Sequence, residues 1–154
     1  MLNTTSQRAS TLIEILIAVS IIALVLTSVS AMITMSIKLA SSNEQKQLAL
    51  QKAEEAMEFF RKERAINSWQ SFSTSLVDGE VYCVSSLPEA IASISAQLGT
   101  CSEENVLEAA KYPFRREAIV QFNSVNNVKL EVKLLWLDGN KVKDLSIEQN
   151  FENF

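Results

Sequence analysis

From Ile15 to Ile37 the chain runs through 23 consecutive residues without a charge, ILIAVSIIALVLTSVSAMITMSI. As a helix this segment spans roughly 34 Å, enough to cross a hydrocarbon core of about 30 Å. A buried helix of a soluble protein is normally shorter and keeps a polar stripe. The hydroxyls in the run belong to Ser20, Thr27, Ser28, Ser30, Thr34 and Ser36. Such groups bond back to their own helix carbonyls, so they are compatible with insertion.

Only Met1 to Ala9, Ser10 and a few further residues precede the run, and Arg8 is the sole cation among the first nine. A short positive N-terminus stays on the cytoplasmic side, which puts the chain beyond Lys38 outside. A secretory signal peptide competes with this reading, with Val29-Ser30-Ala31 as its cleavage site. Its apolar region is usually about 7–15 residues, shorter than the segment here.

Topology bears on Cys83 and Cys101, the only cysteines. Their spacing fits neither a CxxC redox pair nor a zinc knuckle. Outside the cytoplasm one disulfide is expected; in the cytosol they would be two buried thiols. Closing this loop would contribute on the order of 3 kcal/mol in the chain-entropy treatment.

The residues Arg8-Ala9-Ser10-Thr11-Leu12-Ile13-Glu14, followed by the apolar run, resemble the N-terminus of type IV prepilins and pseudopilins. Thr11-Leu12-Ile13-Glu14 matches the core of that family's pattern in order. Ala9 stands where the family usually has Gly, and Ser10 where it usually has Phe. The resemblance implies a leader over residues 1–9, cut by prepilin peptidase between Ala9 and Ser10. Ser10 would become the N-methylated first residue. It implies that Glu14 pairs with the amine of Ser10 on a neighbouring subunit and sets axial register in a filament. Implied partners are other pilin or pseudopilin subunits, the peptidase, the inner-membrane assembly platform and membrane lipid. The implied location is the inner membrane, single-pass, and then the filament.

A local explanation of Glu14 stands beside that one. Thr11-Leu12-Ile13-Glu14 also fits a capping box at a helix start. A first-turn glutamate complements the helix dipole by about 0.3–1 kcal/mol.

Beyond the run the sequence predicts helix to about Arg64, since no Pro or Gly occurs before Gly79. Ala49, Ala53, Ala56, Met57 and Phe60 recur at the spacing of one helical face. Residues 67–86 read as loop with short strands, among them one over Glu80–Val84. Pro88 to Leu98 reads as a short helix closed by Gly99, and Glu103 to Lys111 as another turn or two. The C-terminal part is β-rich. Glu117–Phe122 alternates poorly; after a turn at Ser124–Asn127, Val128–Leu134 alternates strictly. Asp138-Gly139-Asn140 marks a hairpin, and Val142–Phe151 returns with Leu145, Ile147 and Phe151 inward.

The fold class is therefore α+β, a long N-terminal helix packed on a C-terminal antiparallel sheet. The division is a leader at 1–9, a transmembrane and filament-core helix at 10–38, and an extracytoplasmic head at 39–154. Trp136-x-Asp138-Gly139 ahead of a second strand resembles the C-terminal hairpin of V-type minor pilins and I-type pseudopilins, although a Trp at a strand end is common in unrelated sheets.

Composition supports a structural role. The absence of His removes most general-base and metal-ligand chemistry. Three Gly leave no phosphate-cradling loop, and Glu54-Glu55 and Glu103-Glu104 are adjacent carboxylates that diverge. A net charge of −4 gives no nucleic-acid footprint. Nothing calls for a cofactor. The competing class is a single-pass anchored binding or sensor domain that never polymerises.

Overall fold

The computed structural model describes residues 4–107 and 112–153, with side chains from Leu12 onward in the first helix. Helix α1 is Thr4–Ile66 and helix α2 is Trp69–Thr74. Strand β1 is Val81–Cys83, and a 3-10 helix covers Ile91–Gln97. Strands β2 (Arg115–Ser124), β3 (Asn127–Asp138) and β4 (Lys141–Glu152) follow. The contacts divide the chain into two units, Met1–Asn43 and Glu44–Phe154.

The first unit is the apolar part of α1. Within the second, the four strands form one antiparallel sheet in the order β1-β2-β3-β4. Strictly alternating β3 lies between β2 and β4, and its odd and even residues face opposite sides. Val128, Leu130, Val132, Leu134 and Trp136 are buried against the helix. Lys129, Glu131 and Lys133 lie on the wetter face. Lys129 pairs there with Glu148 at 2.6 Å and Lys133 with Asp144 at 3.4 Å. The β3–β4 hairpin pairs Asp138 with Lys141, leaving Gly139-Asn140 as its loop. Gly139 takes φ +63, a conformation costly for a residue with a Cβ.

The α1 stripe packs as its spacing predicts. Ala49, Ala53, Ala56 and Phe60 are fully buried, and Met57 nearly so. Three alanines keep this face thin, so the sheet's own side chains fill the space between the layers. Aromatic rings close both ends. Trp69, Phe72 and Phe151 stack near the C-terminus of α1, and Tyr112, Phe114 and Trp136 meet at the other end.

Several expectations need correction. The helix start expected at Thr11 lies earlier: α1 begins at Thr4, and Thr11 is in helical backbone. The stretch read as loop after Asn67 contains α2, capped by Ser68, whose hydroxyl accepts from Ser71 N at 3.3 Å and whose helix buries Phe72. The helix expected from Pro88 is only a 3-10 helix starting at Ile91, since Ala90 is extended at φ −146. Glu103 and Glu104 form a turn, and residues to Leu107 are not helical. Residues 108–111, the rest of that expected helix, lie outside the described residues. Strand β2 starts two residues earlier than Glu117 and does alternate: Arg116, Ala118 and Val120 are buried. Its pattern looked poor because one inward position carries a charge and another only a methyl group.

Candidate functional site

The first candidate is the N-terminal segment. Its apolar side chains are open to the surroundings from Leu12 to Leu39, with Leu24 69 % exposed and Met35 74 %. An isolated apolar helix in water would be unfavourable at about 25 cal/mol per Å². The segment therefore requires a cover, and an 18-residue stretch of the helix reaches a mean hydropathy of 2.7, long and apolar enough to cross a membrane. The hydroxyls turn inward on the helix. Ser20 Oγ donates to Leu16 O at 2.7 Å, Ser28 Oγ to Leu24 O at 2.8 Å, and Ser30 Oγ to Leu26 O at 2.9 Å. Thr27 and Thr34 donate in the same way at 3.0 Å. These bonds satisfy the hydroxyls of Ser20, Thr27, Ser28, Ser30 and Thr34 within the helix itself, which is compatible with an apolar surround.

Ala9 and Ser10 lie in helical backbone, and their side chains are outside the described residues. Glu14 is an exposed carboxylate on the same helix, with no hydrogen bond or ion pair among the described residues. A charge on an otherwise apolar helix has a cost of a few kcal/mol at membrane depth unless it is paired.

The head is locked by two buried charges that sequence reasoning missed. Arg116 is 1 % exposed on the inner face of β2. Its Nε donates to Val84 O at 2.8 Å and its Nη1 to Lys52 O on α1 at 2.8 Å. Glu55 Oε1 lies 3.6 Å from the same Nη1, and Glu55 Oε2 accepts from Lys52 Nζ at 2.5 Å. Burial lowers the Arg116 pKa, and the Glu55 charge opposes that shift. The hydrogen bond from Lys52 is the main cause that lowers the Glu55 pKa, with Arg116 adding to it against partial burial.

Glu63 is the second buried charge, 2 % exposed at the end of the α1 stripe. Its Oε2 accepts from Ile91 N at 2.7 Å and from Asn67 Nδ2 at 3.2 Å. It thereby satisfies the first N–H of the 3-10 helix, which Ala90 cannot cap. A signal for both residues existed. Arg116 is in phase with Ala118 and Val120, and Glu63 lies three residues beyond Phe60.

Cys83 and Cys101 are bonded, at an S–S distance of 2.08 Å. The bridge sits beside the Arg116 main chain. Cys101 Sγ lies 3.3 Å from Arg116 O, and Cys101 N donates to Glu117 Oε1 at 2.9 Å. Ser85 Oγ accepts from Arg116 N at 3.2 Å and donates to Asn105 O at 2.7 Å. The bridge thus ties the excursion between β1 and β2 to the strand that grips the helix. Among the described residues no group of three or more potential ligands could hold a metal ion.

The prokaryotic N-terminal methylation motif matches residues 4–30. This match supports the resemblance of the N-terminal segment to type IV prepilins and pseudopilins. The match covers Ala9, Ser10, Glu14 and much of the apolar run, and nothing beyond residue 30. No curated protein and no solved structure matches the chain. The motif supports processing by prepilin peptidase. A long N-terminal helix followed by a four-stranded antiparallel sheet is a pilin-like α+β architecture. Motif and helix together fit membrane anchoring and a place in a pilus-type filament.

Proposed function

We propose that this pilin-like protein is a minor pilin or pseudopilin, a structural subunit of a type IV pilus or a type II secretion pseudopilus. The observation that carries the reading is the methylation motif continuing directly into an uncovered apolar helix, with a disulfide-closed head after it. In this reading the chain waits as a single-pass protein of the inner membrane with its head outside. Prepilin peptidase cuts between Ala9 and Ser10, and Ser10 is N-methylated. Residues 10–38 then form the filament core and residues 39–154 the head. Neighbouring subunits replace lipid as the cover of the apolar side chains.

Glu14 acts in register. Packing among Leu, Ile and Val is non-directional and allows neighbouring helices to slide. A carboxylate that must find a cation in a low-dielectric core admits one axial position. The amine of a neighbour's Ser10, created by cleavage, supplies that cation. Four residues separate the two groups in sequence, close to one helical turn. The V-type minor pilin and I-type pseudopilin subclasses are favoured by the Trp136-x-Asp138-Gly139 hairpin.

Intact mass and N-terminal sequencing of the chain from membranes, with and without prepilin peptidase, test the reading. A mature chain starting at methylated Ser10 supports it. A chain that keeps Met1 in the presence of the peptidase overturns processing at this junction and leaves a single-pass anchored domain.

A further inference from the structure

The β3–β4 hairpin occupies one end of the head, and side-chain contacts say which end. Trp136 Nε1 donates to Gln45 Oε1 at 3.2 Å, and the Tyr112 hydroxyl donates to Glu44 Oε2 at 3.2 Å. At the opposite end of the same strand pair, Arg61 Nε donates to Gln149 Oε1 at 2.6 Å and Arg64 to Glu152 O at 3.0 Å. Passing along β4 from Glu152 toward Lys141 therefore passes along α1 from Arg64 back toward Gln45. The hairpin loop, three residues past Trp136, reaches about 10 Å beyond that contact. It does so at the end of the head where the chain enters.

The apolar run is close by connectivity alone. Leu39 is six residues before Gln45, so the two can never be more than about 20 Å apart. Whatever layer covers Leu39 is thus within reach of this end of the head.

The hairpin end has the composition of an interfacial element. Leu137 and Val142 are paired across the strands on one face, 55 % and 58 % exposed. Lys141 and Lys143 are exposed on the other face, as is Lys46 beside Gln45. Asp138 stands opposite Lys141 in register, while Asp144 is taken by Lys133 at 3.4 Å. No ion pair involves Lys143 among the described residues. Side chains of this kind bury an apolar part at the acyl boundary and leave ammonium groups among phosphates.

We propose that the β3–β4 hairpin end is a second membrane contact, which seats in the headgroup layer of an anionic bilayer while the protein waits for assembly. Leu137 and Val142 meet the acyl boundary, and Lys141 and Lys143 meet lipid phosphates. The contact holds the head against the surface and is broken when the subunit is withdrawn into a filament. The inference rests on the membrane-anchored reading of the apolar helix.

The test uses the full chain in lipid discs, with a spin label placed in turn at Leu137→Cys, Lys62→Cys and Ile22→Cys while the native bridge stays closed. Collision with oxygen, which concentrates in lipid, is compared with collision with an aqueous nickel chelate. In discs containing phosphatidylglycerol the oxygen-to-nickel ratio at position 137 should exceed that at position 62 several-fold. It should fall back to the position 62 value in phosphatidylcholine discs and in a Lys141→Glu, Lys143→Glu variant. A lipid-like value at 22 with a water-like value at 137 overturns the proposal and leaves the anchored reading standing. A water-like value at 22 overturns the anchored reading, and the proposal with it. A lipid-like value at 137 that survives both lysine substitutions overturns the anionic partner.

Discussion

The guanidinium of Arg116 in β2 donates to the main-chain carbonyl of Lys52 in α1 at 2.8 Å, inside the interface between sheet and helix. The same side chain holds Val84 O at 2.8 Å, just past β1. One residue therefore joins the helix, the second strand and the segment leading into the disulfide loop. Removing it strands two carbonyls and leaves a void. Arg116→Ala should cost about 3–5 kcal/mol of head stability, the range for breaking a buried charge network. Arg116→Met refills the volume and should lose less. Denaturant unfolding of the full chain in detergent, followed by tryptophan fluorescence, measures both.

Glu63 gives a second test of buried polarity. Glu63→Ala leaves the Ile91 N–H without its acceptor at a site closed to water. A loss of about 1–3 kcal/mol is expected from an orphaned buried donor. Hydrogen exchange should speed up first across Ile91–Gln97, the segment whose start Glu63 caps. Glu63→Gln keeps a carbonyl acceptor and should be the milder change.

These two residues also mark where the sequence stopped being legible. The Ala49 to Phe60 stripe, the β3 alternation and the Asp138-Gly139 turn each repeat a local period, and the fold follows from them. Arg116 and Glu63 occupy the same apolar faces, but a charge there breaks the pattern and reads as surface. Their partners, Lys52 and Val84 for one and Ile91 for the other, are remote in sequence, so no local signal reveals them. The Pro88 to Leu98 region misled for a different reason. Proline signals a helix start, yet Ala90 remains extended and only a 3-10 segment forms after it. At the N-terminus, Thr11 to Glu14 suited two explanations equally. The helix begins at Thr4, seven residues before the start that a cap at Thr11 would mark.

Acid should weaken the head in part through Glu55. Its folded pKa is lowered below 4.5, chiefly by the hydrogen bond from Lys52. A depressed carboxylate contributes stability above its unfolded pKa, and that contribution is lost as pH falls through the folded value. The loss therefore begins near pH 4.5 and completes below the lowered pKa. Glu55 is 45 % exposed, so solvent screening limits the effect to about 1 kcal/mol or less. Glu55→Gln should flatten this part of the acid limb and leave stability above pH 7 lower by the same small amount. Unfolding midpoints collected across the acid range decide it.

The bridge between Cys83 and Cys101 should carry more. Opening it frees the excursion that holds the 3-10 helix and removes a constraint on the unfolded chain. A paired Cys83→Ser, Cys101→Ser variant should lose about 3 kcal/mol. Proteolysis should then cut first between β1 and β2, while the β3–β4 pairing persists because none of its register involves that loop. Limited proteolysis with mass mapping of the fragments reads out both parts.

Glu14 separates folding from assembly. Its carboxylate is exposed, with no hydrogen bond or ion pair among the described residues, so Glu14→Gln should leave the head's unfolding midpoint unchanged within about 0.5 kcal/mol, as for a substitution away from packed features. In the proposed filament the same change removes the charge that answers the Ser10 amine. The unpaired cation left in an apolar core would cost several kcal/mol per interface, enough to abolish incorporation. Membrane insertion should be unaffected or slightly improved, since a neutral side chain enters hydrocarbon more readily. Recovery of the variant from sheared filaments and from membranes makes the comparison. Full membrane levels with no filament-associated protein fit a register role. Incorporation at the unsubstituted level would show that apolar packing alone sets the axial position, and Glu14 would then have no part in assembly.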